Sequence, residues 1–294
     1  MNRRSHDCAV FSYVTTVMIN GDTEIIAHIG YPTHTFKSPM IYNPYFEEAQ
    51  INAVVVPFGC KPEQFTAFLK AVFSLENIRG ALITMPHKVA VVGFLDEVTP
   101  TVKVAGACNA VKKLPDGRLV GDMFDGAGFV RGVQRKGFDL TGKRVLVVGS
   151  GGVGSAIAAS LAGAGIAAIS LFDVNTAACE GLAQRIRQNY PQIDVRTGSN
   201  DPAGFDLVVN ATPMGMSEGD PLPLDVSRLS PETFVGEVVM RQETTAFLAA
   251  AQARGCRTQV GSDMLFEQIP AYLEYFDLPT TTAQELRRVA RLSY

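Results

Sequence analysis

No lysine or arginine run longer than a pair occurs in the 294 residues, and the formal charge is -3. Such a chain offers no basic field to a phosphate backbone, which excludes nucleic acid as a partner. Long apolar runs are missing too. The longest, residues 145–149 and 161–169, are broken up by glycine and fall far short of the roughly twenty residues that cross a bilayer, so no membrane partner is expected. Cys8, Cys60, Cys108, Cys179 and Cys256 form no CxxC pair, which argues against structural zinc and suits incidental thiols in a reducing cytoplasm. His6, His28, His34 and His87 lack HxxxH-type spacing, and no GxSxG elbow is present. Metallohydrolase and serine hydrolase chemistry recede accordingly. Residues 1–15 contain Arg3 and Arg4 but no apolar segment that would make a secretory signal, and read as a loose tail.

What is present is an alternation of short β-branched runs with longer amphipathic segments. Residues 24–29, 53–57 and 81–84 read as strands separated by helical patterns, the rhythm of α/β layers. Residues 110–114 and 119–123 flank Pro115, Asp116 and Gly117 and suit a hairpin. A second rhythm, over 143–149, 168–173, 194–197, 206–210, 234–238 and 258–261, predicts a doubly wound, mostly parallel sheet. From 264 to 292 the pattern is helical, with a break near Leu278 and Pro279. The length exceeds one average core, so the fold class is α/β with two domains. The expected division is 16–124 for an α/β substrate domain, 125–261 for a Rossmann dinucleotide-binding domain, and 262–294 for helices that return to the first domain.

Gly149, Gly151 and Gly154 form GxGxxG between an apolar strand and an alanine-rich helix. The first glycine permits the tight turn, the second a close approach to pyrophosphate, and the third helix–strand packing, with the helix N-terminus facing the anion. Ser150, Gly152 and Val153 fill the rest of this loop. Asp173 ends the next strand, followed by Val174 and Asn175 with no adjacent arginine. A carboxylate there accepts from the adenosine ribose diol and repels a 2'-phosphate, which favours NAD over NADP. Arg196 leaves NADP open.

Pro86 suits the first turn of a helix, which would place Lys88 against the positive end of the helix dipole and favour a neutral base. A solvated lysine is the plainer reading. Asp125 follows a strand and precedes a helical run, where it serves either as N-cap or as a catalytic partner. Asp122 competes with it for either role. His87, beside proline at a helix start, reads as structural.

Several separated segments together resemble the shikimate dehydrogenase family, over nearly the whole chain from Ile29 to Gln268. The family's G-x-P…S-x-S-P is similar to Gly30-Tyr31-Pro32…Phe36-Lys37-Ser38-Pro39, with phenylalanine for the first serine. N-V-T-x-P-H-K resembles the stretch from Leu82 to Lys88, with leucine for asparagine. G-A-x-N is similar to Gly106-Ala107-Cys108-Asn109, and G-x-N-T-D-G-x-G to residues 121–128, with Met123 and Phe124 for Asn and Thr. N-A-T-P-x-G-M resembles residues 210–216 and G-x-x-M-L-x-x-Q residues 261–268, whereas the tyrosine of D-x-x-Y-x-P is Met240 here. The family's NADP-binding N-R-T is replaced by Asp173-Val174-Asn175.

The resemblance implies a reversible NAD(P)-dependent dehydrogenase of shikimate, quinate or a related cyclic hydroxy acid. Lys88 and Asp125 would transfer the proton of a ring hydroxyl. Ser38, Thr84, Asn109 and Gln268 would position the ring, with Phe36 and Met240 lining the altered pocket. Ala211, Thr212, Pro213, Val238, Gly261 and Met264 would border the cofactor beside the glycine loop, Asp173 and Asn175. No metal is implied, and a monomer or homodimer is expected. Two alternatives stand beside this one: an NAD-binding sensor of the same fold without turnover, and a folate-type methylene dehydrogenase.

Overall fold

The computed structural model describes residues 19–292; the tail expected over residues 1–15, and residues 16–18 of the expected first domain, lie outside the described residues. The first sheet comprises β1 (Glu24–Gly30), β2 (Ala53–Gly59), β3 (Ile78–Ile83), β4 (Glu97–Val98), β5 (Ala110–Lys113) and β6 (Leu119–Asp122). Their order is β2-β1-β3-β5-β6-β4. The first three strands are parallel. In the hairpin that follows, β5 runs antiparallel to β3 and β6 antiparallel to β5. The short β4 beside β6 went unread in the sequence, because two residues carry no periodicity.

The second sheet comprises β7 (Arg144–Val148), β8 (Ala168–Phe172), β9 (Asp194–Thr197), β10 (Leu207–Asn210), β11 (Phe234–Glu237) and β12 (Arg257–Gln259). All neighbours are parallel, and the order β12-β11-β10-β7-β8-β9 is that of the doubly wound dinucleotide fold, with its switch point beside β7.

The helices are α1 (Pro39–Glu48), α2 (Phe65–Phe73), α3 (Pro100–Ala105), α4 (Asp125–Arg135), α5 (Gly152–Gly163), α6 (Thr176–Asn189), α7 (Ala246–Ala253), α8 (Gly261–Tyr275) and α9 (Ala283–Val289). Side chains alternate between faces along each strand. On β7, Val145 and Val147 join one core with Ile157, Leu161 and Leu182, while Leu146 and Val148 meet Phe247 and Leu248 of α7 in another. The first core runs on under the first sheet through Ala27, Ile29, Leu69 and Phe129, so both sheets share it. The opposite face of the first sheet, with Ile26 and Leu82, is covered by Ile41, Tyr42 and Phe46 of α1 and by Leu265, Phe266, Ile269 and Leu273 of α8. Each such buried side chain contributes about 1.5–3 kcal/mol. That is why the last helices cross back to the first sheet.

Two expectations are corrected. Residues 85–89 form turns followed by a 3-10 helix over Ala90–Phe94, and no α-helix starts at Pro86. The Lys88 carbonyl accepts from the Cys108 N–H at 2.8 Å, a bond that diverts it from a helical ladder, and Val89, Val91, Val92 and Gly93 are poor helix formers. The helix-dipole reason for a neutral Lys88 therefore falls away. The segment expected as strand over 258–261 ends at Gln259, and Gly261 opens α8.

Candidate active site

The C-terminal ends of the parallel strands of both sheets converge. On the first sheet, Thr84 follows β3 and its N–H bonds the Ile29 carbonyl at 2.9 Å. His87 closes the turn: its N–H donates to Thr84 O at 2.9 Å, its Nε2 lies 2.7 Å from Cys60 O, and its ring stacks on Phe65 at 4.0 Å. The structural reading of His87 fits this geometry. The turn delivers Lys88, whose Nζ forms an ion pair with Asp125 Oδ2; the two side chains are only 11% and 5% exposed.

Asp125 is the first residue of α4, and the N-cap is Phe124, without a side-chain cap bond. The capping reading of Asp125 is thus replaced. The positive end of a helix faces the carboxylate, not the ammonium. Asp122 turns elsewhere, accepting from Thr99 Oγ1 and the Met123 N–H at 2.7 Å each. Asn109 Oδ1 accepts from the Phe124 N–H at 2.9 Å, which fixes the residue before Asp125. The two glycines after Asp125 let α4 wedge between neighbours: a Cβ at Gly126 would overlap the Ala156 carbonyl of α5, and one at Gly128 would lie 2.5 Å from Met264 O and 2.8 Å from Gln268 Cβ of α8. Asp125 is therefore held from both sheets.

Gln268 and Asn109 are buried, and Gln268 Oε1 and Asn109 Nδ2 have no hydrogen-bond partner. Orphaned polar atoms in a site are ready for a ligand. Ser38 precedes α1, and its hydroxyl caps no backbone N–H. Phe36 is buried and stacks on His28. Met240 packs partly against the core that α8 covers. The turn bearing it leaves β11 at Glu237, a buried residue that accepts from Thr245 Oγ1 at 2.6 Å. Burial pushes that carboxyl above the usual range, with hydrogen bonds from Thr245 and Asn210 opposing the shift.

On the second sheet, Gly149 has φ +108°, open to glycine alone at low cost. A Cβ at Gly154 would overlap the Gly149 carbonyl oxygen, whereas one at Gly151 would meet nothing within 4 Å. These are the three requirements of a pyrophosphate-binding turn. Gly152 approaches the first sheet, since its Cβ would lie 3.3 Å from Lys88 Cβ. Asp173 accepts from the Ser150 N–H at 2.6 Å and the Asn175 N–H at 2.8 Å, which fixes its carboxylate beside the loop. Ser150 Oγ is buried without a partner. Asn175 Oδ1 is used as the N-cap of α6, and Val153 is half-buried against the core. Arg196 pairs with Asp194 at 2.8 Å. Asn210 Oδ1 accepts from Thr212 Oγ1 at 2.6 Å, shaping the turn of Ala211, Thr212 and Pro213; Val238 N–H bonds Asn210 O at 3.2 Å. A Cβ at Gly261 would overlap Val239 O, and Met264 is buried near it on α8. Of these residues, Gly152 brings the glycine-rich turn of the second sheet directly against the buried Lys88–Asp125 pair of the first.

A family profile described as the shikimate dehydrogenase substrate binding domain matches residues 28–111, and one described as the ThiF family matches residues 132–197. The shikimate dehydrogenase (NADP(+)) of Desulforamulus reducens is 35% identical, over 85% of this chain and 88% of its own length. The chain belongs to the shikimate dehydrogenase family. Among solved structures, shikimate 5-dehydrogenase from Listeria monocytogenes, in complex with shikimate and NAD, superposes with a TM-score of 0.85 at 27% identity, covering 93% of this chain and 98% of that one. Quinate dehydrogenase from Corynebacterium glutamicum, in complex with NAD, gives 0.82 at 28%, covering 91% and 98%. Family members thus differ in both substrate and dinucleotide. His28, which in the sequence is only a histidine without metal-ligand spacing, is buried near the end of β1 two residues before Gly30.

Proposed function

We propose that this chain is a reversible NAD(P)-dependent dehydrogenase that oxidises a ring hydroxyl of shikimate, quinate or a related cyclic hydroxy acid. The observation that carries this reading is the buried Lys88–Asp125 pair set against the glycine-rich turn, with Gly152 packed beside Lys88. When bound, the dinucleotide supplies the hydride acceptor, and in the reverse direction the hydride donor. Lys88 Nζ and Asp125 Oδ2 act as one hydrogen-bonded unit that takes the hydroxyl proton in oxidation and returns it to the ketone oxygen in reduction. Thr84, Asn109, Gln268 and Ser38 orient the ring, with the unpartnered Asn109 Nδ2 donating and Gln268 Oε1 accepting. Phe36 and Met240 form an apolar wall, which weakens discrimination for a fully hydroxylated ring.

NAD is the preferred cofactor in this reading, although relatives such as that of Desulforamulus reducens are named for NADP(+). The support is Asp173, whose carboxylate is held beside the glycine-rich turn, where it would repel a 2'-phosphate, and Arg196, which is paired with Asp194. The four described cysteines are free and buried, in keeping with a cytoplasmic protein. The test is absorbance-monitored reduction of NAD and NADP with shikimate, quinate and other cyclic hydroxy acids. Turnover with a higher kcat/KM for NAD is expected. Silence across the substrates would refute the dehydrogenase reading in favour of a dinucleotide sensor, and a clear preference for NADP would refute the choice of cofactor alone.

A further inference from the structure

His28 is a buried imidazole to which the proposed reaction gives no task. It lies near the C-terminal end of β1, paired with Leu82 of β3 and Pro57 of β2, and strand alternation puts it on the face of Ile26, toward α1 and α8. Two residues on, a Cβ at Gly30 would meet the Thr84 methyl and lie 3.0 Å from Phe36 Cζ. The His28 ring stacks on Phe36, with centroids 4.1 Å apart and an interplanar angle of 26°. It therefore lies in contact with the residue that replaces a family serine, two residues before the glycine that packs against Thr84.

The chain contains a direct contrast. His87, the structural histidine, has its Nε2 bonded to a carbonyl at 2.7 Å. His28 Nδ1 is equally inaccessible yet has no partner, as are Asn109 Nδ2 and Gln268 Oε1. Leaving a buried polar atom unpaired is costly, a cost that a ligand removes by supplying the partner. Burial, reinforced by the nearby Lys88 ammonium, lowers the imidazole from 6.5 to about 3. The ring is thus neutral at ordinary pH and offers one donor and one acceptor, a match for a hydroxyl or carbonyl oxygen and a poor one for a carboxylate, which needs donors only.

We propose that His28 is a specificity-determining contact whose ring hydrogen-bonds an uncharged oxygen of the cyclic substrate. Phe36 removes one hydroxyl from the pocket and, by stacking, sets the plane of the imidazole that replaces it. The inference rests on the dehydrogenase reading above and names the group that reads the substrate ring.

The test uses whichever of shikimate, quinate and related cyclic hydroxy acids the wild-type protein oxidises, together with analogues of it that each lack one ring hydroxyl. His28→Val is expected to lower kcat/KM about tenfold or more, chiefly through KM, with NAD(P) affinity retained. His28→Asn, which keeps a donor and an acceptor, is expected to recover part of the loss. For one deoxy analogue the wild type and His28→Val should become equal. Unchanged kcat/KM in both variants overturns the inference and leaves the dehydrogenase reading intact, as does an equal loss for every analogue, which marks a purely structural histidine. Absence of wild-type turnover with shikimate, quinate and every other cyclic hydroxy acid tried overturns that reading, and the inference with it.

Discussion

Removing either member of the Lys88–Asp125 pair should damage both stability and turnover, and the two effects can be separated. The side chains are 11% and 5% exposed, so each single substitution strands a charge in a poorly hydrated place. Breaking a buried pair costs about 3–5 kcal/mol. Lys88→Met is expected near the lower end of that range, because the helix N-terminus of α4 still favours the Asp125 carboxylate by about 0.3–1 kcal/mol. Asp125→Leu should cost more, because no other partner of Lys88 Nζ is found among the described residues. The double variant removes both charges and should cost at least about 2 kcal/mol less than the sum of the singles. Since the chain has no tryptophan, urea unfolding is best followed by circular dichroism. In parallel, each single variant should lower kcat by about 10²–10⁴ with NAD(P) affinity unchanged. Additivity within about 0.5 kcal/mol would refute the coupled buried pair, and near-normal turnover in both singles would refute its role in proton transfer.

Three further outcomes are expected. Gly154→Ala puts a methyl into the Gly149 carbonyl and 3.2 Å from Ala211 Cβ, both on backbone that cannot swing away. A loss of about 1–3 kcal/mol with weaker NAD(P) binding should follow, and an unaltered melting temperature and affinity would contradict it. Asp173→Ser removes the fixed charge beside Ser150 and should raise the NADP-to-NAD ratio of kcat/KM about tenfold; a constant ratio would exclude Asp173 as the discriminator. The His28 ring ionises near 3 in the folded protein against 6.5 ordinarily. Between those values the unfolded chain holds the extra proton, so stability falls as pH drops through that window, by up to about 1.4 kcal/mol per pH unit. Urea unfolding at several pH values should show a shallower fall for His28→Val, and identical slopes would rule this origin out.

Much of the architecture could be read from periodicity, because strands such as β7 and β10 sit in a two-sided core and carry unbroken apolar runs, while Gly149 and Gly154 answer to local constraints visible in a short window. Lys88 was harder. Its turn is fixed by a bond from Cys108, twenty residues onward, and no local pattern announces such a contact. Asp125 was ambiguous with Asp122 for a related reason: what separates them is that Asp122 answers to Thr99 and Asp125 to Lys88, and both partners are remote in sequence. His28 was invisible as a pocket residue because on an apolar strand a histidine looks like any other buried ring until its missing partner is seen.

The return of α8 and α9 to the first sheet bears on how the molecule is made. The face of β1 and β3 that carries Ile26, Leu82 and His28 is closed by Leu265, Phe266, Ile269 and Leu273, residues synthesised after both sheets. A nascent chain with all twelve strands outside the ribosome has α1 to cover part of that face and still lacks the α8 residues that close the rest. Its α4 helix also lacks the neighbour against which Gly128 is cut to fit. The setting of the Lys88–Asp125 pair therefore depends on α8 as well as on the two sheets, and completion of either sheet alone does not furnish it.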